Sequence, residues 1–265
     1  MNQLGRIAGP VTLLVASTTP SVGFAQEEEE ETEFIIDSEI LKEEKKDSID
    51  WRLVTGATFM LQDNQSVVGQ QDGTTVGFGF RLDTGVDLRF GDHEWRNSLG
   101  VLGGINRTPA LDRFVKTQDN LDLDSIYLWH LSQYVGLFGR VAYNTTMFRG
   151  QDARPDVTPY RILPPGVDPS TPSEEVAGEA RTGNVLNLTD PFLPSRFRQS
   201  LGLFTQPYAS DPVSVEARLG GGARQTLADG QLAVNDDEEA TPDVVDVVTL
   251  SDVIQAGGEL ALEIW

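Results

Sequence analysis

The sequence contains no cysteine and only two histidines among its 265 residues. The absence of cysteine excludes a disulfide framework and thiolate catalysis, and it is compatible with an oxidising compartment. His93 and His130 fall on a predicted turn and near a predicted strand end, with no carboxylate at zinc-like spacing. The sequence also lacks a nucleophile motif and a phosphate-binding glycine loop. We therefore predict that the protein is not an enzyme and uses no metal and no cofactor.

Long hydrophobic runs are also absent, since no stretch approaches the roughly 20 apolar residues of a membrane-spanning helix. This does not exclude a membrane protein, because spanning β-strands alternate apolar and polar residues and are lost in a window average. Basic residues are few: 20 Lys and Arg stand against 41 Asp and Glu, for a formal net charge of −21. No nucleic-acid partner is therefore expected. Much of the acidic charge lies in residues 27–50 and 229–246, which we interpret as solvated segments.

The first 50 residues are predicted to be a signal peptide followed by an acidic linker. Residues 1–25 combine Arg6, a short apolar core and the small residues Gly23 and Ala25 before a predicted cleavage point. A buried N-terminal strand or helix is the alternative for this stretch. Residues 26–50 are rich in glutamate, and like charges keep such a segment extended. The remaining residues, 51–265, are predicted to form one exported domain.

The stretch 74–90 alternates between two unlike faces over an unusual length. One face is almost entirely apolar and includes Phe78, Phe80 and Leu88, while the other carries Gly, Arg and Asp. Successive side chains of a strand point to opposite sides, so this is one strand, much longer than the usual 5–6 residues. Similar alternation predicts about eight strands in all, the others at residues 51–62, 95–106, 118–131, 134–148, 196–206, 213–228 and 250–265.

The predicted connections alternate between short and long. Short turns are expected at Gly91, Ser132 and Pro207, and the longest loops at residues 149–195, which are rich in proline, and 229–246. Outer-membrane barrels have short periplasmic turns and long external loops. Several aromatic residues fall at the short-turn ends of the strands, as a membrane-interface belt requires. These predicted interface aromatics are Trp51, Phe90, Trp95, Trp129 and Tyr134, with Trp265 at the end of the sequence.

The predicted fold is therefore all-β: an antiparallel transmembrane β-barrel with outer-membrane lipid on its apolar face and a charged lumen. The predicted lumen-lining residues are Arg81, Asp83, Asp87, Arg89, Arg96, Asp122, Asp124, Arg140, Arg198, Glu216, Arg218 and Arg224. They are expected to form an ion-pair network, or to select small solutes by charge. One alternative is a soluble periplasmic lipocalin-like barrel that binds an apolar ligand. The other is a barrel-embedded hydrolase, in which Asp83 and Asp87 would act as an acid/base pair.

Three segments carry a specific motif pattern: residues 93–99 (HEWRNSL), 115–121 (VKTQDNL) and 123–127 (LDSIY). They resemble a family of Gram-negative bacterial proteins with a domain of unknown function. Residues 192–194 and the strand from Phe197 resemble the middle hairpin of that family, and residues 257–260 resemble a later strand. The resemblance implies an exported outer-membrane β-barrel without known catalytic residues. It also implies that the eight strands are part of a larger barrel that continues beyond Trp265. The expected role is structural, or porin-like passive passage of small solutes.

Overall fold

A computed structural model describes residues 47–66, 68, 72–111, 113–167, 178–210, 213–235 and 243–264. The predicted signal peptide, residues 26–46 of the predicted linker and Trp265 lie outside these described residues. The described residues form twelve β-strands. They include no helix long and apolar enough to cross a bilayer.

Eight of the strands form a large sheet in the order β1-β2-β3-β4-β5-β8-β9-β12, and every neighbouring pair is antiparallel. Their bounds are β1 Ser48–Asn64, β2 Gly73–Phe90, β3 His93–Arg107, β4 Val115–His130, β5 Val135–Thr145, β8 Ser195–Ser210, β9 Val213–Leu227 and β12 Val253–Ile264. The other four strands form a small sheet in the order β10-β11-β6-β7. Their bounds are β6 Gly150–Leu163, β7 Glu179–Thr189, β10 Leu232–Val234 and β11 Val245–Thr249.

The large sheet confirms the all-β, antiparallel prediction, and each predicted strand has a counterpart in it. The strand predicted at residues 74–90 is β2, which is 18 residues long. Its residues pair continuously with both β1 and β3, because strict alternation fixes the register of a strand that has two unlike faces. β1 and β12 are the edge strands, and no pairing joins them within the described residues, which therefore contain no closed barrel.

Contacts between distant strands show that the large sheet is strongly curved. Arg96 on β3 reaches Glu216 on β9, with 3.3 Å between Nη1 and Oε2. The two strands are four positions apart in the sheet, about 19 Å at the usual strand spacing in a flat sheet. Arg140 on β5 likewise lies 3.5 Å from Glu259 on β12. The concave side therefore carries the charged residues, and we call it the inner face and the convex side the outer face.

The small sheet corrects the prediction of two long loops. Residues 149–195 contain β6 and β7, and residues 229–246 contain β10 and the start of β11. The small sheet has its own apolar core, which consists of Tyr160, Ile162, Leu186, Val245 and Val247. One of its pairings, between β11 and β6, is parallel, so the chain is not antiparallel throughout. Burial of these apolar side chains explains why segments rich in proline or acid are ordered here.

Three local predictions also differ from the structure. Pro207 is not in a turn: β8 continues to Ser210, and the register with β9 shifts between Thr205 and Tyr208. A proline is tolerated at such an irregularity because its missing N–H is not needed there. The first strand begins at Ser48, within the predicted linker. Asp246, assigned to a solvated acidic segment, is completely buried.

All four connections between the two sheets lie at the same end of the large sheet, opposite its short turns. Asp119 on β4 fixes the first of them. Its carboxylate accepts hydrogen bonds from the backbone N–H groups of Met147 and Phe148, both at 2.8 Å. The Lys116 ammonium lies 2.7 Å from the same carboxylate. The chain leaving β5 is thereby held beside β4 as it enters the small sheet.

Candidate functional site on the inner face of the large sheet

Polarity across the large sheet is inverted relative to a soluble protein. On the outer face, Phe78, Phe80 and Val141 are 44–48% exposed. On the inner face, the carboxylates of Glu94 and Glu216 are almost completely buried. Apolar side chains normally leave water and charged ones normally stay in it. The inner face is therefore where the protein buries charged groups at an energetic cost, and we take it as the candidate site.

Glu94 organises the short-turn end of the inner face. Arg96 donates a 2.7 Å hydrogen bond from Nε to Glu94 Oε1, and Arg89 Nη2 lies 3.2 Å from the same oxygen. His130 Nε2 is 3.5 Å from the other oxygen of Glu94. Since a buried carboxylate is costly without partners, these three groups together account for the burial of Glu94.

The same network continues across the concave space to β9 and β12. Arg96 contacts Glu216 as described, and Gln206 donates a 3.0 Å hydrogen bond to Glu216 Oε2. Arg218 lies between Glu216 and Glu263 and is ion-paired with both. We call this set the Glu94 cluster; it comprises Arg89, Glu94, Arg96, His130, Gln206, Glu216, Arg218 and Glu263. It joins strands from both halves of the sheet and so holds the curvature.

An apolar cluster that was not predicted from the sequence lies at the same end of the inner face. It consists of Ile126, Leu128, Phe138 and Phe204, all at most 6% exposed. The Phe204 ring meets the His130 ring edge-on, with 4.9 Å between centroids. A Cβ on Gly136 would overlap with Phe204 and with the backbone carbonyl of Trp129, so glycine is required there. The short-turn end of the concave space is therefore filled with side chains.

The rest of the inner face is more open. Arg140 donates a 2.8 Å hydrogen bond from Nε to Asp124 on the neighbouring strand, besides its contact with Glu259. Next to it lies a cavity of about 830 Å³, which is lined in part by Arg140, Arg198 and Arg224. This volume is within the range of small-molecule sites in proteins.

The pairing registers of the strands place all twelve predicted lumen-lining residues on the inner face. The structure brings four of them together in the Glu94 cluster, and it pairs Arg140 with Asp124 and Arg81 with Asp83. Asp122 is instead held by two amides, accepting hydrogen bonds from Asn120 and Asn144. Asp87 and Asp83 are four residues apart on one strand, or about 13 Å, too far for an acid/base pair acting on one bond.

The five predicted interface aromatics among the described residues are exposed on the outer face or at its turns. Trp51, Phe90, Trp95, Trp129 and Tyr134 are 42–65% exposed and lie near the short-turn end. The His93 ring stacks on Tyr127 and Trp129 in the same region, at centroid distances of 5.8 and 6.1 Å. A second group of aromatic residues, which was not predicted, lies toward the end of the large sheet opposite the short turns. The ring centroids of Phe59 and Phe78 are 5.2 Å apart, and those of Tyr143 and Phe197 are 4.7 Å apart.

Comparison with known proteins gives one match. Residues 69–150 match the model of the family described as "Protein of unknown function (DUF3078)". The match covers β2 to β5, including the three motif segments, and less than a third of the 265-residue chain. It confirms the resemblance of this DUF3078-like region to a family of unknown function. No curated protein and no solved structure matches the chain.

Several inner-face residues outside the predicted set take part in its polar contacts, within the DUF3078-like region and beyond it. They are Glu94, His130, Gln206, Glu259 and Glu263. The predicted strand at residues 95–106 leaves out Glu94, although Glu94 has the same alternation phase as Arg96 and begins the inner face of β3. In the described part of the chain, no group of three or more His, Asp or Glu side chains has the arrangement of a metal site.

Proposed function

We propose that the protein is an outer-membrane β-barrel, with a structural role or a passive, porin-like passage of small solutes through its charged interior. The observation that carries this proposal is the inverted polarity of the large sheet. A monomeric soluble protein rarely exposes a contiguous apolar patch larger than a few hundred Å². Here the apolar outer face extends over strands from β1 to β12, while ion pairs occupy the inner face. Hydrocarbon on the outside accounts for both facts together.

The dimensions of the outer face support the same proposal. From Phe78 to Phe90 the outer face of β2 runs over 12 residue steps, about 40 Å along the strand. At the roughly 45° tilt of barrel strands this corresponds to about 28 Å along the membrane normal, close to the roughly 25 Å apolar band of outer-membrane barrels. Aromatic side chains lie toward both ends of this band. Trp and Tyr at such positions favour the headgroup level of a bilayer.

The interior bears on the choice between the two roles. Barrels of eight strands have interiors that side chains can fill, and the Glu94 cluster and the apolar cluster occupy the short-turn end here. This filling favours the structural role for an eight-stranded barrel. Passage of solutes would need a wider barrel, built with further strands at the edges of β1 and β12, which no described strand occupies.

Fractionation of the full chain tests the proposal. After expression in a Gram-negative host, the protein is expected in the outer-membrane fraction, to require detergent for extraction, and to migrate faster in gels before heating than after it. A chain that stays soluble without detergent would contradict the proposal. Planar-bilayer recordings of the purified protein then separate the roles: discrete conductance supports passage, whereas insertion without conductance supports the structural role.

A further inference from the structure

Two arginines stand side by side on the inner face without any carboxylate between them. Arg198 on β8 is directly opposite Arg224 on β9. Side chains at directly opposite positions have Cβ atoms about 4.5–5.5 Å apart, and like charges placed there are destabilising. The arrangement is unusual in a chain with a net charge of −21, in which carboxylates are abundant.

Neither arginine is neutralised by the protein. Arg198 and Arg224 make no hydrogen bond and no ion pair within the described residues. The next arginine on this side, Arg140, differs in this respect because Asp124 and Glu259 hold it. The side chain directly opposite Arg224 on β12 is Gln255, which is neutral and can donate hydrogen bonds. The local charge of the pair is therefore left at +2.

The backbone beside the pair is cleared of side chains. Gly222 and Gly257 occupy the next inner-face positions on β9 and β12, directly opposite each other. A Cβ on Gly257 would contact nothing within 4 Å. The neighbouring inner-face residue on β8 is Ser200, whose buried hydroxyl has no hydrogen-bond partner among the described residues. The two glycines line the cavity of about 830 Å³ together with Arg198 and Arg224, and the one carboxylate in its lining, Glu259, is paired with Arg140.

We propose that this cavity is a binding site for a small phosphate-type dianion, held between Arg198 and Arg224. Guanidinium groups donate two parallel hydrogen bonds to an oxyanion, so two neighbouring arginines can hold a tetrahedral dianion together. Gln255 adds a neutral donor next to Arg224 in the same row of inner-face positions. A bound dianion attracts both arginines and so offsets their mutual repulsion. This explains why two arginines occupy paired positions at which a carboxylate on either strand would have removed the repulsion. The inference concerns binding alone and does not depend on whether the protein conducts.

Calorimetric titration of the detergent-solubilised full chain with inorganic phosphate tests this inference. The titration is run at about 0.15 M salt, where interactions between exposed charges more than about 8 Å apart are largely screened. Phosphate is expected to bind at one site, and acetate, with a single charge, at least about tenfold more weakly. Arg198→Gln and Arg224→Gln are each expected to weaken phosphate binding about tenfold or more, and the double variant to abolish it.

Two further variants separate a built site from diffuse attraction. Arg198 and Arg224 are exposed side chains. Arg181→Gln removes the same charge from an exposed arginine of the small sheet that is already paired with Glu179, and it is expected to leave phosphate affinity unchanged. Gly257→Val places a side chain in the cavity without altering any charge, and it is expected to weaken binding. Because Arg198 and Arg224 have no internal partner, their variants should keep the gel mobility of the folded protein. The inference is overturned if phosphate does not bind, if Arg181→Gln weakens binding as much as Arg198→Gln does, or if acetate binds as tightly as phosphate.

Discussion

Replacing Asp246 with asparagine is expected to destabilise the small sheet severely. Asp246 is completely buried and directly beside Arg161 in the parallel pairing of β11 with β6. Arg161 donates two hydrogen bonds to it, 2.6 Å from Nε to Oδ1 and 2.9 Å from Nη2 to Oδ2. This hydrogen bonding raises the pKa of the Arg161 guanidinium above its usual value. An arginine in a protein stays charged even without such a partner, so it remains a cation when Asp246 is neutralised. Asp246→Asn thus leaves a buried cation with one strong interaction removed.

The size of the effect follows from the burial of the pair. Removing one partner of a buried ion pair costs about 3–5 kcal/mol, which corresponds to roughly 150- to 5,000-fold in an opening equilibrium. Hydrogen exchange measured on peptides covering Gly150–Leu163 and Val245–Thr249 should accelerate by such a factor. Asp243→Asn, an exposed carboxylate three residues away, serves as the control. Replacing both partners, with Arg161→Met and Asp246→Leu, should restore slow exchange because the two charges are removed together. Exchange in Asp246→Asn within threefold of the parent protein would refute this reasoning.

Three further predictions concern other parts of the chain. Glu94→Gln leaves Arg89 and Arg96 without their shared carboxylate, so the free energy of unfolding in urea and detergent should fall by about 1–3 kcal/mol. Leu123→Arg on the outer face should lower the stability of the lipid-inserted protein by about 2–4 kcal/mol, whereas Asp122→Arg on the inner face should cost much less in the same folding assay. Burial, and then the charge of Asp152, raise the pKa of Tyr160. The folded protein therefore holds the Tyr160 proton more tightly than the unfolded chain does. The stability that this contributes is complete below a pH of about 10 and should be lost as the pH rises further. Hydrogen exchange measured across that range should show the loss, and Tyr160→Phe should abolish it.

The large sheet could be predicted from sequence because its strands alternate strictly over long stretches. In β2 a slip of one residue would exchange Phe80 with Arg81 across the sheet, so the pattern fixes both the strand and its register. The same pattern places all twelve predicted polar residues on one face. The pattern does not specify which of these residues come into contact. Arg96 and Glu216, for example, are 120 residues apart and meet only when the sheet curves.

The small sheet could not be predicted in the same way, for reasons visible in its residues. β11 is only five residues long, and its acidic residue Asp246 and the acidic segment before it resemble a solvated loop. β6 contains Pro155 and Pro159, and its register with β7 shifts between Ala153 and Thr158. The small sheet depends on the parallel pairing of β6 with β11, in which paired residues are 85 positions apart in the sequence. Pairing over such a distance is not visible in a short window of sequence.

Solvent contact measured along β2 tests the central claim most directly, and the absence of native cysteine makes the experiment clean. Single cysteines are introduced in turn at residues 76–88, spin-labelled and reconstituted in lipid vesicles. Accessibility to oxygen, which concentrates in lipid, should peak at Phe78, Phe80 and Leu82 and fall at Gly79, Arg81 and Asp83, with a period of two. Outer-face positions that contact a water-soluble relaxation reagent as strongly as the inner-face ones, or the opposite phase of alternation, would contradict the proposal that the outer face lies in lipid.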